Sequence, residues 1–222
     1  MSKFSDYLLN PNSSQEEKEL AQIKLLKSLV DDQSLTQKAA LAAALSLGGE
    51  LPIGVSLNPG GRDWVSLTSH SNISFSFVML DPLANADGLF SVQALEGPVI
   101  KELDSFSEIG VLEASLQGFS GYSFPPVPGD LASTQFGVEF GRDYGMDAVL
   151  AVNNDQVACE AQYLECEFLK LSPDLNMECL DMIPNTRRLI FEIESLEDLD
   201  RIGGRFSSAA FLLNQDLLGS TL

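Results

Sequence analysis

The segment ISFSFVM, residues Ile73–Met79, decides the fold class that the sequence predicts. Its apolar residues alternate with Ser74, Ser76 and Val78, which is the period of a strand with one buried face. The segment Pro82–Gly88 follows with the proline, asparagine, aspartate and glycine of a turn, and Leu89–Leu95 then resumes as a strand. The simplest prediction is an antiparallel hairpin.

Further strands are predicted along the rest of the chain. They cover residues 99–103, 109–116, 135–140, 147–152, 157–168 and 189–193. Asn153, Asn154 and Asp155 tolerate the positive φ of a tight hairpin turn between two of them. In the long strand that follows, the buried parity slips at Tyr163-Leu164, which predicts a β-bulge there.

Helices are predicted at both ends of the chain. Ser14 with Glu17 has the capping-box spacing before an apolar stripe, so a helix is expected over 15–31. A second, alanine-rich helix over 35–47 ends at Gly48-Gly49, and the two form a helical hairpin. Near the carboxyl end, Ser195 caps a short acidic helix, Leu196 to Ile202, and another helix is predicted from Ser207 to Leu218.

The fold class predicted from these patterns is α+β. A helical hairpin, residues 1–50, packs on a mainly antiparallel, acidic β domain, residues 51–222, which ends in a C-terminal helical segment. The two parts are expected to form one cooperative unit.

Composition and charge exclude several classes of function. The chain has 222 residues, 45% of them hydrophobic, with 13 basic and 32 acidic residues, a net charge of −19. Residues 63–186 hold 19 acidic and three basic residues, a net charge of −16. Direct nucleic-acid binding is therefore excluded, because phosphate contacts need clustered cations, and a basic protein partner is favoured.

The expected compartment is the cytoplasm or an intracellularly assembled particle. The most apolar segment, Ala39 to Leu47, has nine residues, whereas a membrane span needs about 20, and no secretory signal is recognised. Three cysteines, Cys159, Cys166 and Cys179, are too few and too irregular for a disulfide framework or a zinc site. No membrane contact and no cofactor is expected.

Catalytic candidates are sparse. His70 is the one histidine and stands in a Ser/Thr-rich segment without a nucleophile elbow. Carboxylate pairs, Glu165 with Glu167 and Asp143 with Asp147, and the Asp81–Asp87 loop lack the context of a hydrolase or calcium site. Phosphate-binding glycine loops are absent from the sequence.

Partner-binding residues are predicted instead. Gly118–Ser133 is a proline-stiffened segment whose aromatic residues could anchor an interface. Exposed acids on a strand and on the late acidic helix could meet a basic partner. The predicted set is Phe119, Tyr122, Phe124, Glu165, Glu167, Glu197, Asp198 and Asp200.

The function predicted from the sequence is a non-enzymatic, intracellular protein-binding role. In that role the chain is an acidic adaptor, chaperone or inhibitor of a basic partner. One alternative is self-association as the structural subunit of a large homo-oligomer such as a virion or tube. A carboxylate-dependent hydrolase is the remaining alternative.

Overall fold

A computed structural model describes most of the chain. The described residues are 13–32, 41–46, 52–57, 73–79, 92, 95, 97–203, 206, 209–214 and 217. They contain eight strands, which are β1 Ile53–Leu57, β2 Ile73–Met79, β3 Val99–Glu102, β4 Gly121–Phe124, β5 Asp147–Val152, β6 Phe168–Leu171, β7 Arg188–Ile193 and β8 Ala210–Asn214. The described helices are α1 Gln15–Asp32, α2 Leu41–Ala44, α3 Glu108–Gln117, α4 Leu131–Phe140, α5 Asp155–Ala161, α6 Met177–Leu180 and α7 Leu196–Gly203, with a 3₁₀ turn at Gly141–Tyr144 after α4.

The eight strands form a closed barrel in sequence order, and every neighbouring pair is parallel. The barrel closes where β1 pairs with β8, for example Gly54 opposite Leu212. Helices α3 to α7 lie in the connections that follow β3 to β7. Because parallel neighbours need a crossover rather than a tight turn, each of these helices returns the chain to the start of the next strand.

The predicted α+β fold with a mainly antiparallel β domain is therefore wrong. The hairpin expected after Ile73–Met79 does not form, because β2 pairs with β3 in parallel. The predicted turn over 82–88 lies outside the described residues. Asn153-Asn154-Asp155 is no hairpin turn either: the Asn154 side chain accepts a hydrogen bond from Val157 N–H and caps α5.

Three predicted strands are helices. Residues 109–116 lie in α3, 136–140 in α4, and 157–161 in α5, so the β-bulge expected at Tyr163-Leu164 is also wrong. The buried positions of α3 are 111, 112, 114 and 115, and those of α5 are 157, 158 and 161, which is helical spacing. Conversely, part of the predicted C-terminal helix over 207–218 is strand β8.

Other elements are confirmed. β2 and β5 have the predicted bounds, β7 spans the predicted late strand, and α7 matches the acidic helix to within a residue. At the start of α1, Ser14 Oγ accepts from Glu17 N–H at 3.2 Å, and Glu17 accepts from Ser14 N–H at 2.8 Å, which is the predicted capping box.

The two N-terminal helices do not form the expected hairpin. α1 packs beside α3, where Lys27 Nζ lies 3.5 Å from Glu108 Oε2. α2 instead closes the N-terminal end of the barrel, because Leu41 is fully buried among the side chains of the barrel interior. The division into residues 1–50 and 51–222 stays a prediction. Among the helices of the described ranges, none has the length and apolar character that crossing a bilayer requires.

The strands are buried on both faces, which is characteristic of parallel barrels. The barrel interior is filled by Phe75, Phe77, Ile100, Val149, Phe168, Ile190, Ala210 and Leu212, with Leu41 at its N-terminal end. The layer between strands and helices includes Val55, Val78, Val99, Tyr122, Phe124, Leu150, Leu169, Phe191 and Phe211. Neighbouring residues of one strand therefore alternate between the interior and this outer layer.

Candidate active site

The C-terminal end of the barrel holds a lysine between two glutamates. Lys170 in β6 forms ion pairs with Glu102 Oε1, at the end of β3, and with Glu192 Oε1 in β7 at 2.8 Å. β3 and β6 are not neighbours in the barrel, so the lysine side chain reaches across the interior. Its Nζ also lies 5.6 Å from the ring centre of Phe77. Buried charges need such partners, and here each ion holds the others in place.

Burial and charge act in opposite directions on this lysine. Burial by itself lowers the pKa of Lys170, but attraction by Glu102 and Glu192, together with the hydrogen bonds that they accept, raises it above its ordinary value. Lys170 is only 9% exposed. The cavity thus contains a fixed, buried ammonium ion at neutral pH.

A cavity of about 270 Å³ opens at this end of the barrel, next to the three charged groups. Its other polar walls are Asp104, Ser123 and Asn153, and its apolar walls include Met79, Pro125 and Ala151. In α/β barrels this face carries the active site, because the loops that follow the strands meet there. The arrangement combines a cation, carboxylates and a hydroxyl around a space for a small ligand.

The opposite end of the barrel is closed by polar contacts to α2. Asp147 Oδ2 accepts a hydrogen bond from Leu41 N–H at 2.9 Å, and Arg188 donates to Ala42 O and to Ser46 Oγ at 2.8 and 2.6 Å. Burial raises the pKa of Asp147, partly offset by the Leu41 N–H. These contacts hold Leu41 in the barrel.

The predicted aromatic anchors lie in the interior of the protein. Phe119, Tyr122 and Phe124 are each at most 5% exposed. The Tyr122 hydroxyl donates to Gly137 O and accepts from Gly141 N–H at 3.0 Å, and burial raises the pKa of this tyrosine. The rings of Tyr122 and Phe124 pack against Gly141 and Gly137, just after and near the end of α4. The contribution of all three aromatic residues to partner binding stays a prediction.

The predicted acidic residues lie away from the cavity. Glu165 and Glu167 are exposed before β6, near its N-terminal end, and Glu167 pairs with Arg188 Nε at 2.9 Å. Glu197, Asp198 and Asp200 are on α7, where Asp198 binds Ser195 N–H at 3.0 Å and Arg201 at 3.1 Å. Their interaction with a basic partner also stays a prediction.

The remaining candidates of the sequence do not form a site with Lys170. Asp143 is exposed on the 3₁₀ turn, and Asp147 points into the opposite end of the barrel. His70 and the Asp81–Asp87 loop lie outside the described residues. Cys166 is buried, which raises the pKa of its thiol to about 11. In the part of the chain that the structure describes, no three His, Cys, Asp or Glu side chains form a group suited to a metal ion.

The residues of the cavity were missed because each is unremarkable alone. Glu102, Lys170 and Glu192 are 68 and 22 residues apart in sequence and meet only when the barrel closes. One signal was present: Lys170 stands within the apolar segment FLKL, and a lysine in a buried strand needs a buried partner.

The eight parallel strands form a closed α/β barrel. This fold carries the active sites of enzymes that catalyse many different reactions. No protein-family model and no curated protein matches the chain. Among solved structures it is similar to the crystal structure of an HpcH/HpaI aldolase/citrate lyase family protein from Burkholderia cenocepacia J2315. The TM-score is 0.55 at 12% identity, over 82% of this chain and 94% of that chain. At this identity the likeness concerns the fold.

These findings correct the predicted function. The structural subunit of a virion or tube was one alternative. The main prediction, a non-enzymatic adaptor, chaperone or inhibitor, rested on a mainly antiparallel acidic sheet that meets a basic partner. The chain instead forms a closed parallel barrel shared with an aldolase/citrate lyase family protein, so that prediction is wrong. The alternative of an enzyme agrees better with the barrel and its cavity.

Proposed function

We propose that the protein is an enzyme that forms an enolate from a small carbonyl compound in the C-terminal cavity, as lyases and aldolases do. The observation that carries this proposal is the ammonium of Lys170, held between Glu102 and Glu192 at the mouth of the barrel. Preorganised charge in a buried site stabilises a developing oxyanion more strongly than water does. The barrel likeness to an aldolase/citrate lyase family protein agrees with this class of reaction.

Lys170 is suited to hold the substrate oxygen. An ammonium has three N–H donors, and among the described residues two of them are taken by Glu102 and Glu192. The third is available to a carbonyl oxygen in the cavity. Because its pKa is raised, the ammonium keeps its proton at neutral pH and acts through charge.

A carboxylate supplies the base. The side chain of Glu192 is 33% exposed and that of Glu102 is 11% exposed, so Glu192 is the more accessible to a ligand. In the step, Glu192 takes a proton from the carbon next to the carbonyl. The C–H electron pair forms the C=C bond, and the carbonyl π pair moves to the oxygen that Lys170 holds. In a β-hydroxy carbonyl compound the same carboxylate would instead take the hydroxyl proton. The O–H electron pair then forms the C=O bond of the leaving aldehyde or ketone, and the electron pair of the cleaved carbon–carbon bond forms the same enolate.

The test is deuterium exchange, which needs no second substrate. Pyruvate, hydroxyacetone, dihydroxyacetone and acetone are incubated with the protein in D₂O, and loss of the signals of protons next to the carbonyl is followed by ¹H NMR. We expect exchange above the buffer rate with at least one probe. Lys170→Met should reduce the rate to background. Lys101→Met is the matched control. Lys101 stands next to Glu102 in β3, but its side chain packs outside the barrel near Gln117.

Glu192→Gln provides a variant that keeps the shape of the side chain. Loss of a general base typically costs about 10²- to 10⁴-fold in rate. Exchange at the buffer rate with every probe, or unchanged exchange in both Lys170→Met and Glu192→Gln, would refute the enolate mechanism. A carboxylate-dependent hydrolase, the alternative from the sequence, would give no exchange.

We also propose that the protein acts in the cytoplasm. The three cysteines are unpaired in the structure, and free thiols are usual in a reducing compartment. Fractionation of cells that express the native chain tests this localisation.

A further inference from the structure

Ser123 presents its hydroxyl to the cavity. Its neighbours Tyr122 and Phe124 belong to the layer between strands and helices, so Ser123 faces the barrel interior, and it lines the cavity. It is 2% exposed, and its Oγ has no hydrogen-bond partner among the described residues. Buried hydroxyls are nearly always satisfied, so an unpaired one in a cavity indicates a position where a ligand atom binds.

The charges that line the cavity indicate what kind of ligand this is. The charged side chains among its described walls are Glu102, Asp104, Glu192 and Lys170, which together carry a net charge of −2. Lys170 is the one cation of that set, and two carboxylates already share it. A ligand carboxylate or phosphate would therefore meet more negative charge than positive. Hydroxyl groups, which both donate and accept hydrogen bonds, suit these walls better.

The size of the cavity points in the same direction. Its volume of about 270 Å³ lies at the small end of the range for ligand pockets. The apolar walls, Met79, Pro125 and Ala151, leave room for a short carbon chain beside the polar groups.

We propose that the cavity binds an uncharged hydroxylated carbonyl compound, a hydroxyketone or hydroxyaldehyde, and that Ser123 forms a hydrogen bond to a hydroxyl of that compound. The assignment of the carbonyl oxygen to Lys170 rests on the proposed function. The hydroxyl recognised by Ser123 distinguishes this ligand class from simple ketones. The net negative charge of the walls distinguishes it from phosphate esters and oxo acids.

The experiment is a binding titration by saturation-transfer NMR with the full chain, which does not depend on turnover. The probes are dihydroxyacetone, dihydroxyacetone phosphate and acetone, which share one ketone and differ in hydroxyls and charge. We expect dihydroxyacetone to bind more tightly than both other probes. Ser123→Ala should weaken its binding about 5-fold, as the loss of one neutral hydrogen bond does.

Ser76→Ala is the matched control. Ser76 is also fully buried, and its Oγ has no partner within the described part of the chain, but it stands on the outer side of β2, where its N–H donates to Pro98 O at 3.0 Å. This variant removes the same group from a comparably buried position outside the cavity. It should leave the affinity for dihydroxyacetone within about 2-fold, less than the loss of one hydrogen bond to the ligand would cause.

Three results would overturn the inference. They are equal or tighter binding of dihydroxyacetone phosphate, unchanged binding in Ser123→Ala, and no saturable binding of dihydroxyacetone. Because the readout is binding, it separates this inference from the proposed function. Ser123-dependent binding without deuterium exchange would support the ligand class and refute the enolate step, whereas exchange of pyruvate alone would refute the ligand class only.

Discussion

Replacing Lys170 by methionine should destabilise the protein strongly. Methionine has nearly the length of lysine, so the main effect is electrostatic. The Glu102 side chain is 11% exposed and would remain as a buried carboxylate without a cation, whereas Glu192, at 33%, is better hydrated. Breaking a buried ion pair by removing one partner costs about 3–5 kcal/mol. We expect the free energy of unfolding at pH 8 to fall by that amount.

The stability lost in Lys170→Met should be smaller at low pH than at high pH. The unpaired carboxylate in Lys170→Met takes up a proton when the pH is lowered, and the neutral acid is tolerated by the interior. The variant therefore regains stability below neutral pH. The gain is about 1.4 kcal/mol for each pH unit over which this carboxyl group carries a proton in the folded protein but not in the unfolded chain. In the wild type the pKa of Lys170 is raised above its unfolded value of about 10.5. The stabilisation by charged Lys170 is therefore complete below that pH and is lost as the pH rises through the folded pKa.

Urea unfolding followed by circular dichroism, at pH 8 and pH 5, measures both effects. The double variant Lys170→Met with Glu102→Gln removes the unpaired charge and should recover most of the loss at pH 8. Lys27→Met is the control, because Lys27 and Glu108 form an exposed pair with side chains 40% and 30% exposed. It should cost no more than about 1 kcal/mol. A loss of that small size for Lys170→Met, or an equal loss at both pH values, would refute the buried charge network.

Four further variants test the packing and the buried polar groups of the barrel. Gly121→Ala should lower the free energy of unfolding by about 3 kcal/mol or prevent folding, because its Cβ would lie 2.3 Å from the carbonyl oxygen of Asp147. Gly129 has φ +80° and no atom within 4 Å of the added Cβ, so Gly129→Ala should cost about 1 kcal/mol in the same urea titration. Tyr122→Phe should lose about 1–3 kcal/mol, since two buried backbone partners of the hydroxyl would be unsatisfied. Asp147→Asn should raise the melting temperature at pH 8 and make it depend less on pH. Burial raises the pKa of Asp147 in the folded protein. Wild-type stability therefore decreases as the pH rises from the unfolded pKa of about 4 through the folded pKa, and asparagine removes this effect.

Individual strands could be predicted from the sequence, but their pairing could not. ISFSFVM was identified with its correct bounds from the alternation of its side chains. The serines of that segment were taken as a solvent-facing side. In the barrel, Ser76 is fully buried beneath the outer layer, because a small hydroxyl fits where strands and helices pack closely. Alternation thus described the strand correctly and suggested the wrong environment for its second face.

Helix α4 was missed because its local preference for helix is weak. α4, LASTQFGVEF, contains Gly137, Thr134 and two phenylalanines, none of them strong helix formers. Signals for its start did exist: Asp130 accepts from Ser133 N–H at 3.0 Å as an N-cap. Asparagine and aspartate are common both in hairpin turns and at helix starts. Only the parallel pairing of the strands decides between these two interpretations.

The acidic composition contains more information about the site than its net charge shows. Residues 63–186 have only three basic residues, Lys101, Arg142 and Lys170. Arg142 is exposed and donates to Glu165 O, and Lys101 lies on the outside of the barrel near Gln117. Lys170 alone is directed into the interior. Where cations are this scarce, a lysine in an apolar strand is the position to examine first, because the fold must supply it with carboxylates from distant strands.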